Sequence, residues 1–203
     1  MIRIRNISRH GSQVAVMHSN APLPMENHVR IFVGDVVTST TPVVIETLLG
    51  SCVAVCLHDT ELHFGGMNHI LLAGSGRDGK STRFGVYAME LLINEMMKIG
   101  GNRKKFVAKA FGGANIVQSV KYSSIGEDNA EFVRNFLETE KIPLISQRMG
   151  GTQPVHLDFR TDLGKATVHT VDGSQLHKII QAEEVYKKTH SVDKNYSGEI
   201  TLF

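Results

Sequence analysis

The chain has 203 residues, of which 41% are hydrophobic and 21% charged, the makeup of a globular protein long enough to bury one substantial core. A net charge of +2 and a pI near 8.5 are too mild to point to nucleic acid, and the longest basic run, Arg103-Lys104-Lys105, reads as a solvated turn. No window approaches the roughly 18 consecutive apolar residues of a membrane span. The polar, Arg-bearing start from Met1 to Arg9 lacks the apolar segment of a signal peptide, so a cytoplasmic protein is expected.

Residues 1–28 read as a polar extension containing Pro22 and Pro24, residues 29–172 as the functional domain, and residues 173–203 as a C-terminal helix with a polar tail. Strands are expected at 29–37 and at 43–49, the second leading into Gly50. The apolar, β-branched run Val53 to Leu57 and the shorter Ile70 to Leu72 read as two strands of a hairpin turning at Thr60-Glu61. The glycine-rich stretch from Ala73 to Thr82 completes neither nucleotide-binding motif and reads as a loop that could border a site. Val86, Met89, Ile93, Met96 and Met97 recur at helical spacing between Arg83 and Ile99, with Gly100-Gly101 as the stop. A strand over 105–111 ends at Gly112-Gly113. Ser124 with Glu127 resembles a capping box for a helix to about Glu140. Alternating strands then span 155–160 and 166–171, and Ser174 to Lys188 forms a last helix. This mixture predicts an α/β (α+β) fold in a single domain.

The chemistry concentrates in the hairpin. An antiparallel pair turning at Thr60-Glu61 sets Cys52 directly opposite His69, their side chains on one face, and opposed Cβ atoms lie roughly 4.5 to 5.5 Å apart. A thiol titrates near about 8.5 when free, whereas a neighbouring imidazolium stabilises the thiolate that attacks carbonyl carbon. Gly50 would permit a tight turn that aims the Cys52 amide at a developing oxyanion. The competing reading is inert packing, since Cys is among the most often buried residues. A metal site of Cys52, Cys56, His63 and His69 is disfavoured because the C-x3-C spacing misses the usual C-x2-C knuckle, and no cofactor is called for. His58, His156 and His169 are expected at surface or edge positions.

Several blocks resemble the chemoreceptor glutamine deamidases of bacterial chemotaxis (CheD). They are Leu49-Gly50-Ser51-Cys52-Val53-Ala54-Val55-Cys56-Leu57, Gly65-Gly66-Met67-Asn68-His69, Tyr87-Ala88-Met89-Glu90-Leu91-Leu92-Ile93-Asn94, Ala108-Lys109-Ala110-Phe111-Gly112-Gly113-Ala114 and Ile125-Gly126-Glu127-Asp128-Asn129. They run in order between about Val29 and about Val171. The resemblance implies a three-layer sandwich of two mixed β-sheets with helices outside. It implies hydrolysis of selected glutamines to glutamate on methyl-accepting chemotaxis receptors, with Cys52 matching the nucleophile and His69 the general base. The family's third residue is a threonine just upstream of the cysteine, for which Thr47 is the candidate; it either orients His69 or serves only as a strand residue. The resemblance also makes a phosphatase of the CheC type a plausible partner. Other readings are a non-enzymatic adaptor binding receptors or that phosphatase, and a receptor glutamate methylesterase using the same acyl chemistry.

Overall fold

The computed structural model describes residues 2–6, 15–17, 27–72, 79–116, 125–171 and 173–191. The chain runs β1 (Ile2–Asn6), β2 (Ala15–Met17), β3 (Asn27–Arg30), β4 (Asp35–Ser39), β5 (Val43–Leu49), β6 (Val53–Asp59), β7 (Phe64–Ile70), α1 (Gly79–Lys98), β8 (Phe106–Gly112), α2 (Ile125–Thr139), β9 (Leu144–Met149), β10 (Val155–Arg160), β11 (Lys165–Thr170) and α3 (Gly173–Ser191). Seven strands form one sheet in the order β2-β1-β4-β7-β6-β8-β9, and four form a second in the order β11-β10-β5-β3. Each sheet carries one parallel pair, β8 with β9 and β3 with β5, so both are mixed.

Every residue of β6 and β7 is buried, because alternate side chains enter two different cores. Val53, Val55 and Leu57 pack with Met89, Leu92 and Met96 of α1 and with Val133 and Leu137 of α2. Ala54, Cys56 and Met67 face the other way and pack with Ile45, Leu157 and Phe159 of the smaller sheet. The result is a three-layer α+β sandwich in which α1 and α2 cover the large sheet and the small sheet covers its opposite face. Gly66 is dictated by the close approach of the paired strand β4: a Cβ there would lie 2.6 Å from the Val37 carbonyl oxygen and 2.7 Å from Thr38 Cγ2. Among the described residues, no helix is long and apolar enough to cross a membrane.

Tertiary structure overrides several local expectations. The 29–37 run is not one strand: Gly34, at φ 88°, and a turn in which Asp35 accepts the Phe32 amide at 2.9 Å send the chain from the small sheet (β3) to the large one (β4). β9 was not evident in the sequence; its mostly exposed positions carry no clean alternation. Two stretches of the polar 1–28 segment, β1 and β2, are strands of the large sheet, with β1 paired to β4. His58 is buried rather than at the surface, and its Nδ1 lies 3.1 Å from the Thr161 carbonyl oxygen. Ser124 and the 73–78 part of the glycine-rich loop lie outside the described residues.

The expected hairpin register is corrected. Residues 60–63 form a four-residue loop, so His69 pairs with Ala54 and not with Cys52. The cause is Asp59. Its Oδ1 accepts the amides of Glu61 and Leu62 at 3.0 Å each, its Oδ2 accepts the Asn102 amide at 2.9 Å, and His63 takes a left-handed φ of 53°. The two-residue shift matters little for the face, because side chains alternate with period two: Cys52 and His69 still point to the same side. Replacing Asp59 with Ala removes the acceptor of three half-buried amide hydrogen bonds, and we expect urea denaturation to register a loss of about 2 kcal/mol.

Candidate active site

The chain crosses from the small sheet to the large one through Gly50-Ser51-Cys52, between β5 and β6. All three carbonyls of this crossing are tied on one side. Ala114 N–H donates to Gly50 O at 2.8 Å, Asn129 Nδ2 to Ser51 O at 2.9 Å, and Gly113 N–H to Cys52 O at 2.7 Å. Asn129 is anchored in turn by accepting the Leu72 amide at 2.8 Å. Gly112 is needed here: at φ 106°, a Cβ on it would come within 2.2 Å of the Cys52 oxygen, so Gly112-Gly113 makes a close backbone approach and not merely a turn. With the carbonyls held, the amides of Ser51 and Cys52 are left to converge on the opposite side.

They converge on one carboxylate oxygen. Oε1 of Glu183, on α3, accepts Ser51 N–H at 2.8 Å and Cys52 N–H at 3.3 Å, and the Cys52 sulfur donates to it at 3.3 Å. The Ser51 hydroxyl donates to Oε2 at 2.5 Å. Gly50 makes room, since a Cβ there would lie 2.8 Å from Glu183 Oε1; its sequence-expected role as a tight turn is replaced by one of clearance.

Thr47 and His69 sit across the gap between the sheets. Thr47 Oγ1 donates to the Ile31 carbonyl at 2.8 Å and lies 2.9 Å from His69 Nδ1. A carbonyl can only accept, so the single hydroxyl proton is committed to Ile31, and Nδ1–H must donate to Thr47. That leaves Nε2 as a bare lone pair, buried and, among the described residues, without a hydrogen-bond partner. Burial pushes His69 down to about 3. The imidazole is therefore neutral, which corrects the expected thiolate–imidazolium pair: burial disfavours the cationic ring.

Thr47, Cys52 and His69 all line one groove of about 640 Å³ at the edge between the sheets, with Ile179, Glu183 and Tyr186 of α3 on its far wall. Cys52 is 1% exposed and His69 4%. The second thiol differs. Cys56 lies in the inter-sheet core, where burial pushes its thiol far up, and both cysteines are unbridged. Among the described residues, the one three-donor cluster within 4.8 Å is Glu46, His156 and Asp158 on the outer face of the small sheet, where Arg30 also pairs with Glu46 at 2.9 Å. The cysteines and His69 belong to no such cluster. Sequence reasoning missed Glu183 and Asn129, which reach the crossing from residues 131 and 78 positions away and carry no local signature.

A thiol, a neutral imidazole with an open lone pair and two convergent amides in one groove are the components of a hydrolase acting on an acyl carbon. The family model described as CheD chemotactic sensory transduction matches residues 71–170, beginning just after His69. The probable chemoreceptor glutamine deamidase CheD of Stenotrophomonas maltophilia (strain K279a) is 43% identical over 169 residues, 83% of this chain and 84% of that protein. The protein of the same name from Agrobacterium fabrum is 44% identical over 149 residues, 72% of this chain and 81% of that one. The probable chemoreceptor glutamine deamidase CheD 1 of Ruegeria sp. (strain TM1040) is 47% identical over 151 residues, 73% and 80% of the two chains. The chain belongs to the CheD family.

Because folding lowers the His69 pKa from its ordinary value near about 6.5, the unfolded chain binds a proton that the folded one refuses. The stability contributed by neutral His69 is complete above about pH 6.5 and is lost as pH falls toward about 3. Urea denaturation at pH 7.5 and 4.5 should give a smaller pH slope for His69→Asn than for the wild type. The ¹⁵N spectrum should keep the neutral Nδ1–H tautomer at pH 5, and Thr47→Val, but not Thr47→Ser, should abolish that preference.

Proposed function

We propose that this protein deamidates selected glutamine side chains to glutamate on methyl-accepting chemotaxis receptors, using Cys52 as nucleophile, His69 as general base and acid, and Thr47 to orient His69. The observation that carries the reading is the convergence of the Ser51 and Cys52 amides on a single oxygen within 3.3 Å of the Cys52 sulfur. Two backbone donors beside a thiol are what an acyl-transfer oxyanion requires. The names of the related proteins supply the substrate.

In the mechanism, His69 Nε2 takes the thiol proton as sulfur bonds to the carboxamide carbon, and the charge moves to the oxygen, where the Ser51 and Cys52 amides receive it. The tetrahedral adduct collapses with cleavage of the C–N bond, and His69 returns the proton to the departing ammonia. Water then attacks the thioester: His69 accepts its proton, the C–S bond breaks, and the proton passes to sulfur, leaving glutamate. Thr47 acts through Nδ1, fixing the tautomer that leaves Nε2 basic. A neutral imidazole serves as well as an ion pair here, because it receives the proton only as the thiol attacks. The protein works in the cytoplasm against the helical region of the receptor, and a phosphatase of the CheC type is the proposed partner.

Mass spectrometry of receptor peptides tests the assignment, since each conversion of amide to acid adds about one dalton. Wild type should convert glutamine, Cys52→Ala should fall to background, and Cys56→Ala should keep most activity. Equal rates for the wild type and Cys52→Ala would refute the mechanism, and binding with no mass change would mark an adaptor.

A further inference from the structure

In the closed groove the sulfur is 1% exposed, and what closes it is α3. Ile179, Glu183 and Tyr186 recur at helical spacing and form its inward stripe; Ile179 and Glu183 are buried, while the intervening Gln181, Ala182, Glu184 and Val185 are exposed. Ile179 Cγ2 sits where a Cβ on Gly50 would come within 2.8 Å. Burial pushes the Tyr186 phenol up to about 12, with the adjacent Cys52 adding to the effect. Among the described residues, no other strand or helix runs close alongside α3 over any length.

The group that α3 delivers is chemically specific. A glutamate side chain is the product of glutamine deamidation. The Glu183 carboxylate is 4% exposed and accepts two backbone amides, the Ser51 hydroxyl and the Cys52 thiol. A glutamine in the same pose would place its carbonyl oxygen on the two amides and offer its NH₂ to the Ser51 hydroxyl, which can accept as well as donate.

We propose that α3 is a built-in occupant of the substrate groove, with Glu183 seated as a pseudo-product in the subsite that receives a substrate glutamine. A receptor helix then binds by displacing α3 and presenting its glutamine along the same path. This inference rests on the deamidase reading above, and it adds that α3 must leave the groove before a substrate glutamine can reach the Ser51-Cys52 amides. Affinity for that helix is lowered by the fraction of time α3 is docked.

The full-length Glu183→Gln variant tests it. The introduced glutamine is expected to be hydrolysed in place, R–CONH₂ + H₂O giving R–COO⁻ + NH₄⁺. Its tryptic peptide should gain about one dalton at a first-order rate independent of protein concentration, and the combined Cys52→Ala variant should show no gain. A second full-length variant, Glu183→Ala, is expected to lower KM for a receptor peptide about threefold to tenfold. If the introduced glutamine persists while the same sample converts receptor peptide, α3 is not a pseudo-product and the deamidase reading stands. If neither glutamine is converted by protein that Glu183→Ala shows to be inactive as well, the deamidase reading falls and this one with it. An unchanged KM in Glu183→Ala overturns the occupancy independently.

Discussion

The site depends on three consecutive carbonyl groups being held on one side of the sheet crossing. Gly50, Ser51 and Cys52 each give their oxygen to a donor from the β8–α2 region, namely Ala114, Asn129 and Gly113. A peptide unit is planar, so fixing the oxygen fixes the amide that points away from it. The Ser51 and Cys52 amides are thus aimed into the groove before any ligand arrives, and the sulfur follows from the same backbone. Preorganised dipoles of this kind need no rearrangement when charge develops beside them.

The imidazole is placed by a different part of the molecule. His69 belongs to the large sheet and Thr47 to the small one, so their hydrogen bond spans the inter-sheet layer and its length is set by how the two sheets pack. Ile31, at the point where the chain leaves the small sheet for the large one, takes the Thr47 proton and so decides which ring nitrogen carries hydrogen. Burial does the rest by keeping the ring uncharged. Neutrality with an open Nε2 is a state suited to accepting a proton.

Glu183 enters this groove as a buried carboxylate. An unpaired buried carboxylate is costly, yet four donors surround it, and charge-assisted hydrogen bonds of this number offset much of the desolvation. The same donors are those a substrate carbonyl would use. Stability of the closed form and affinity for substrate are therefore set by one cluster of groups, which links the docking of α3 to the proposed chemistry.

Much of this was legible in the sequence. Helical periodicity located α1 and α2, alternation located β10 and β11, and apolar, β-branched runs located β5 and β6. Cys52 and His69 were recognisable as a thiol and an imidazole on neighbouring strands. Thr47 remained ambiguous, since nothing local distinguishes a hydroxyl that orients a ring from one that merely suits a strand. The hairpin register was misread because Asp59 lengthens the loop through its side chain, and β9 escaped notice because its exposed positions show no period.

Residue types and their spacing alone determined the α+β class and the identity of the thiol and imidazole that share a face. Tertiary structure alone decided that His69 is neutral, that Thr47 holds its tautomer, and that Glu183 reaches the cysteine from residue 131 positions along the chain. The reason is range. Periodicity reports what one segment buries, whereas ionisation and hydrogen-bond direction depend on atoms brought together only when both sheets and α3 close around the same small volume.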